Sequence, residues 1–434
     1  MAEIRPFRGL RYDPARAGRL DTLIAPPYDV ISPAQQEALY AASPYNIVRI
    51  ELSREEGEAR YASAAALLAQ WRQDGILVPE ARPALYLYEQ RFTLDGQTYR
   101  RRAIIARVRL EPFESGAIRP HEYTLSGPKE DRLRLLEATR TQVSPVYALY
   151  RADRDDPLRG ITMPSSVVSA TDLAGEEHRL APIDDPEAHA AVAHYLRERP
   201  LYIADGHHRY ETALRYRDQR RAAATTWTGD EPENFVMMAL TPHDDLGLVI
   251  LPIHRLVHRP LPPGTPERLQ RFFHLTLLPW NDEADEAAAL ERLRAYAAAR
   301  PAFIAAGVYP GRLLLVTLRD AAAVAALMPA ERSAAWRALA VNVLQYGVLQ
   351  AALGIDLDAI AAGGVVSFTE NAREALAEVR SGRAAAAFLL NPTRVEEVFA
   401  VADAGDRMPQ KSTFFYPKLG TGLVLNAFDL DGAG

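Results

Sequence analysis

The chain has 434 residues, 48% hydrophobic and 24% charged, the composition of an ordinary globular protein long enough for two or three cores. Fifty Lys and Arg against 56 Asp and Glu leave a formal charge of -6, which argues against a nucleic-acid surface, and the absence of cysteine removes disulfides, thiol nucleophiles and thiolate metal sites. No apolar run reaches membrane-spanning length and Met1-Ala2-Glu3-Ile4-Arg5-Pro6 has no signal-peptide core, so a soluble, cytoplasmic protein is expected.

In chain order, Ala25-Pro26-Pro27-Tyr28-Asp29 reads as a rigid turn, residues 45–51 as a strand and 54–73 as a helix ended by Asp74-Gly75. Residues 85–94 and 97–110 alternate polar and apolar side chains about Asp95-Gly96, which predicts a hairpin closed by a type I′ turn. His121-Glu122-Tyr123-Thr124-Leu125 is a loop leading to a helix from near Pro128. A strand at 146–150, a helix at 186–199 and strands at 235–241 and 248–254 follow, before a Pro260-Leu261-Pro262-Pro263-Gly264 linker. The last part alternates helices (285–299, 334–353, 371–381) with strands (302–309, 313–318, 385–390), which predicts an α/β layer on a mixed sheet. The expected organisation is an N-terminal hairpin-containing part at 1–115, a phosphate-binding core at 116–260 and a C-terminal α/β domain at 261–434.

The most informative stretch is Leu201-Tyr202-Ile203-Ala204-Asp205-Gly206-His207-His208-Arg209-Tyr210, an apolar strand, an Asp-Gly turn and a helix opening with two histidines and an arginine. A helix start presents unpaired N–H groups and partial positive charge, so it suits an anion, and Arg209 can add a bidentate fork. The plainer alternative makes Asp205 a helix cap with the histidines on an exposed first turn.

Of the fifty cationic residues only Lys129, Lys411 and Lys418 are lysines. Where arginine is this favoured, a lysine is expected to persist where a compact ammonium serves and a wide planar fork does not. All three lie in turn- and hydroxyl-rich segments, Leu125-Ser126-Gly127-Pro128-Lys129 and Met408-Pro409-Gln410-Lys411-Ser412-Thr413-Phe414-Phe415-Tyr416-Pro417-Lys418, which points to phosphate or carboxylate contacts.

Standard motifs fit less well. Gly405-Asp406-Arg407-Met408-Pro409-Gln410-Lys411-Ser412 has P-loop spacing, but Gln410 replaces the second glycine and the residues after it favour extended backbone over a helix. His254-Arg255-Leu256-Val257-His258 lacks the glutamate of a zinc-protease helix, so a structural or polar-contact role is the plainer reading of it. No Gly-x-Ser-x-Gly elbow and no dinucleotide fingerprint is present.

The Ala25-Pro26-Pro27-Tyr28-Asp29-Val30, His121 to Lys129, Asp205 to Arg209 and Met408 to Thr413 segments, in this order, resemble the prokaryotic family catalogued as domain of unknown function 1015. The middle segment resembles the ParB/sulfiredoxin superfamily, whose free-serine kinases carry an Asp-Gly-His-His-Arg motif and a catalytic glutamate. That resemblance implies an α/β (α+β) fold with a ParB/sulfiredoxin-like core on a mixed sheet. It also implies a phosphotransferase acting on free serine or a similar hydroxy acid from ATP, ADP or pyrophosphate with magnesium. Glu122 and Asp205 would then be catalytic, with Asp205 also the metal ligand. Gly206, His207, His208, Arg209, Ser126, Gly127, Lys129, Lys411, Ser412 and Thr413 would hold the donor, and His121, Arg132, His254, Arg255 and Lys418 the substrate. The alternatives are a nucleotide-dependent ParB-like switch and a phosphatase of a phosphorylated amino acid. The expected partners are the small-molecule substrate and donor, with no membrane or nucleic acid and a homodimer left open. The kinases are shorter, and nothing in them corresponds to the Lys411–Lys418 segment or the C-terminal part.

Overall fold

The Asp95-Gly96 turn closes the hairpin with both residues at positive φ, 50° and 77°, as a type I′ turn requires. Its strands, β2 (Leu85–Leu94) and β3 (Gln97–Arg109), form the middle of a nine-stranded sheet in a computed structural model that describes residues 2–124, 126–296 and 300–430, with the side chains of 126–128 left aside. The chain divides into two compact units, one of 1–120, 124–249 and 417–434, the other of 121–123 and 250–416.

In the first unit β1 (Ile4–Arg5) pairs with the end of β3. The remaining strands are β4 (Ile118–Arg119), β5 (Val146–Tyr150), β6 (Val168–Thr171), β7 (Glu177–Ile183), β8 (Leu201–Asp205) and β9 (Phe235–Pro242), in the order β4-β8-β5-β9-β3-β2-β7-β6. β8 runs parallel to β4, and β9 parallel to β5, while the other pairs are antiparallel, so this sheet is mixed. The hairpin strand β3 bonds directly to β9, so the part expected at 1–115 shares one sheet with the expected core, and the border at 115 does not separate two cores.

β9 is buried along its whole length because both edges and both faces are covered. Val236, Met238 and Leu240 share one face at the two-residue strand period and pack with Val146, Ala148 and Ile203 and with Tyr210 and Ala213 of helix α2 (His207–Ala223). Each such side chain contributes about 1.5–3 kcal/mol by leaving water. Helix α1 (Ser126–Thr139) lies along α2. Residues 417–430 belong to this unit: Asn426 accepts from Arg107 Nε at 2.8 Å and donates to Gln142 at 2.9 Å, and Ala427 pairs with Thr141.

The second unit holds β10 (His254–Val257), β11 (Phe273–Pro279), β12 (Ala302–Tyr309), β13 (Arg312–Leu318), β14 (Val366–Thr369) and β15 (Ala386–Leu390), in the order β11-β13-β12-β15-β10-β14. Every pairing in this sheet is antiparallel, which corrects the mixed sheet expected for the last part. Helix–strand alternation suggested parallel crossovers, but β12 and β13 form a hairpin and β11 and β14 carried no recognised signal.

Two other expectations change. Residues 45–51 form a short helix, Val48–Glu51, instead of a strand, because Asn46 accepts the Val48 N–H at 2.9 Å and donates to the Thr22 and Ile24 carbonyls. The helix expected at 334–353 breaks into Ala334–Ala338, Ala340–Val343 and a wide turn at Leu344–Gln350, with Leu339 at ψ 132° interrupting it.

Candidate functional site

Asp205 ends β8 where the register against β5 slips by one residue, a bulge between Ile203 and Asp205 that re-aims the last side chain of the strand. Gly206 follows at φ 87° as the first residue of the cap, and α2 begins at His207. A Cβ on Gly206 would stand 2.9 Å from Nε and Nη2 of Arg209, so this position needs glycine both for its backbone and for the guanidinium folded over it.

Asp205 does not cap the helix. Its Oδ2 accepts from Arg209 Nη2 at 2.9 Å and its Oδ1 from Lys418 Nζ at 2.8 Å. Burial opposes the charge on this carboxylate, but Lys418 and Arg209 outweigh it and hold the group far below the ordinary carboxylate range. The other terminal nitrogen of Arg209 donates to the Pro145 carbonyl. The guanidinium bridges strand end and helix start.

The lysines follow the same pattern. Lys129 donates to Glu211 Oε2 at 2.8 Å, and Thr124 donates to that same oxygen at 2.7 Å. Lys418 is placed by its own backbone: Gln90 Nε2 donates to its carbonyl at 2.8 Å, Arg101 donates to the Pro417 carbonyl, and the Gly420 N–H donates to Tyr88 Oη at 3.1 Å. His207 is buried and His208 half-buried. Burial pushes the His208 imidazole below its ordinary value, with Glu211 and Asp29 opposing the shift. Ser126 and Gly127 fall in the first turn of α1, whose side chains lie outside the described residues.

Arg132 is buried, with Nε and Nη2 on Asp131 and its plane over the Tyr28 ring at 4.2 Å.

In the second unit Glu122 forms a parallel bridge with Met408, and its Oε1 accepts the Lys411 N–H at 3.1 Å. Lys411 is one of three described non-glycine residues at positive φ, 60°, and its carbonyl accepts from Arg255 Nη2 at 3.0 Å. His121 Nε2 lies 2.9 Å from Thr413 Oγ1, and Ser412 donates to the Pro409 carbonyl at 2.6 Å. The structure therefore brings His121, Glu122, Arg255, Lys411, Ser412 and Thr413 together. Burial lowers Arg255 to about 10 despite Glu122, and burial with Arg255 beside it lowers His254 to about 4. His254 accepts the Leu390 N–H at 3.2 Å and is 2% exposed, which fits the structural or polar-contact role read from its motif. Residues Phe414–Tyr416 form a strand, which agrees with rejecting a P-loop.

Sequence reasoning passed over Glu51, Glu211 and the Asp172–Glu176–His178 group. The last is a cluster whose ligand atoms lie within 4.8 Å of one another. There Tyr88 Oη lies 2.6 Å from His178 Nδ1 and Asp172 Oδ2 lies 3.2 Å from Nε2. This is a hydrogen-bonded relay, and an imidazole nitrogen is a poor magnesium ligand. Among the described residues no helix is long and apolar enough to cross a membrane.

The family model described as protein of unknown function (DUF1015) matches residues 4–340. The chain belongs to the DUF1015 family. None of the curated proteins matches this DUF1015 chain. Solved structures similar to it include a free serine kinase in complex with AMP, 13% identical, covering 72% of this chain and 86% of that one with a TM-score of 0.35. A conserved hypothetical protein from Pyrococcus furiosus is 13% identical over 76% and 97% of the two chains, with a TM-score of 0.33. SbnI with C-terminal truncation from Staphylococcus aureus is 10% identical over 76% and 90%, with a TM-score of 0.35.

Proposed function

We propose that this chain is a small-molecule phosphotransferase, a kinase of free L-serine or a similar hydroxy amino acid or hydroxy acid, using ATP, ADP or pyrophosphate with magnesium. The observation that supports it is the Asp205 carboxylate held between Lys418 and Arg209 at the start of α2. Phosphoryl transfer to an alcohol asks for placed charge more than for covalent chemistry. The N–H groups at the start of α2 favour a phosphate, and Asp205 keeps two cations at that spot before any ligand arrives.

Asp205 is the carboxylate suited to magnesium, which takes one or two carboxylates together with phosphate oxygens and neutralises their charge. Lys418 and Arg209, on giving up Asp205, become donors to phosphate oxygens. Glu122, the acid of the His-Glu motif, is the proposed acceptor of the hydroxyl proton, with the Lys411 N–H orienting one of its oxygens.

Phosphorus NMR of the chain with magnesium, L-serine and, in separate tubes, ATP, ADP or pyrophosphate tests this. A new phosphomonoester signal is expected in at least one tube. Inorganic phosphate released without an acceptor would make the protein a phosphatase. Donor binding without turnover would make it a nucleotide-dependent switch, and donors left untouched and unbound would overturn both.

A further inference from the structure

Against Arg209 in the first unit lies a cavity of about 60 Å3. Its polar wall includes Glu51, Ser144, Arg132 and Arg209, and Leu135 and Val236 belong to its apolar lining. Glu51 is 2% exposed and Ser144 8%. Arg132 Nη1 stands 3.5 Å from the Glu51 carboxylate, yet its hydrogen bond goes to the Glu51 backbone carbonyl at 2.9 Å, and the rest of that guanidinium is committed to Asp131. Among the described residues no hydrogen bond reaches the Glu51 carboxylate or the Ser144 hydroxyl.

A buried carboxylate whose nearest cation is Arg132 Nη1 at 3.5 Å, without a hydrogen bond from it, is incompletely compensated, and burial holds Glu51 above the ordinary carboxylate range. The cavity asks for a small molecule with at least one strong donor for Glu51 and a group that exchanges a hydrogen bond with Ser144. An ammonium satisfies a buried carboxylate better than a hydroxyl does, because the hydrogen bond is charge-assisted on both sides. Arg209 lines the cavity and also binds Asp205, so a ligand here sits one guanidinium away from the turn at the start of α2.

We propose that this cavity is the acceptor pocket and that Glu51 takes the ammonium of an amino acid, selecting a hydroxy amino acid over the corresponding hydroxy acid. The proposal rests on the phosphotransferase reading for the word acceptor, but its test needs no turnover. The full chain is titrated calorimetrically with L-serine and with glycerate, which carries a hydroxyl where serine carries its ammonium.

The unsubstituted chain is expected to bind serine at least about tenfold more tightly than glycerate, and Glu51→Gln to lose that preference. Equal binding of the two probes by the unsubstituted chain, binding of neither, or a preference that survives Glu51→Gln would overturn the assignment. Ser144→Ala, which removes one hydroxyl, covers the case in which Glu51→Gln does not fold: serine must bind it about threefold or more weakly, and unchanged affinity counts against the pocket. Serine preference without any phosphomonoester would sink the phosphotransferase reading and leave the pocket standing. Phosphorylation of serine and glycerate alike would do the reverse.

Discussion

Nζ of Lys418 lies 2.8 Å from Oδ1 of Asp205 across 213 residues of sequence. The pair joins the end of the chain to the start of α2 and leaves the second carboxylate oxygen to Arg209. Because Gln90, Arg101 and Tyr88 hold the backbone on either side of Lys418, its ammonium is brought to Asp205 by the central hairpin and not by a flexible reach.

Lys418→Met is expected to destabilise the chain by about 3 kcal/mol, since it leaves a carboxylate of 19% side-chain exposure with one cation in place of two. Urea unfolding followed by circular dichroism measures this. Adding Asp205→Asn should recover part of the loss, and a double variant as unstable as the sum of the singles would show that the pair is uncoupled.

Gly206→Ala forces a side chain into positive φ and against the Arg209 guanidinium. A cost of about 1–2 kcal/mol is expected from the backbone alone. Displacement of Arg209 from Asp205 should add a fall in turnover with any donor, and full activity in this variant would show that the Arg209 position is unimportant.

Glu122→Gln keeps an oxygen to accept the Lys411 N–H, so the loop should stay in place while the base is lost. Turnover is expected to fall by about 10²–10⁴-fold with donor affinity nearly unchanged. Kinetics and donor titration on the same preparation separate the two, and equal activity removes Glu122 as the base.

Acid should weaken the fold in two windows. His254 sits at about 4 when folded, against an unfolded value near 6.5, so between those values the unfolded chain binds the extra proton. Stability therefore declines by roughly 3 kcal/mol as pH falls through that range and then levels for this group. Asp205, depressed by its two cations, keeps its contribution above the ordinary carboxylate value and loses it as pH falls below about 4. Denaturation profiles of His254→Gln and Asp205→Asn should each flatten in one window; a variant whose profile matches the unsubstituted chain would disprove its assignment.

The hairpin at Asp95-Gly96, the strand, turn and helix at Leu201–Ala223 and the strands of residues 302–318 were legible because each is specified by neighbours within a few residues. The lysine bias was legible too, and two of the three ammonium groups sit on carboxylates. Glu51 was not, since it ends a β-branched run that reads as a strand, whereas Asn46 accepts the Val48 N–H and the chain turns into a short helix there. The burial of His254 and Arg132 was not legible either, because it depends on elements far away in sequence.

The sequence by itself determined which chemistry is available: no thiols, few lysines, a glycine where positive φ is needed, and an anion-friendly helix start. Those depend on residue type and on contacts a few residues apart. Only the tertiary structure decided that Asp205 is an ion-paired carboxylate instead of a cap, that the last sheet is antiparallel throughout, and that Glu51 faces a cavity. Each of those follows from desolvation and pairing between distant segments, which local spacing does not encode.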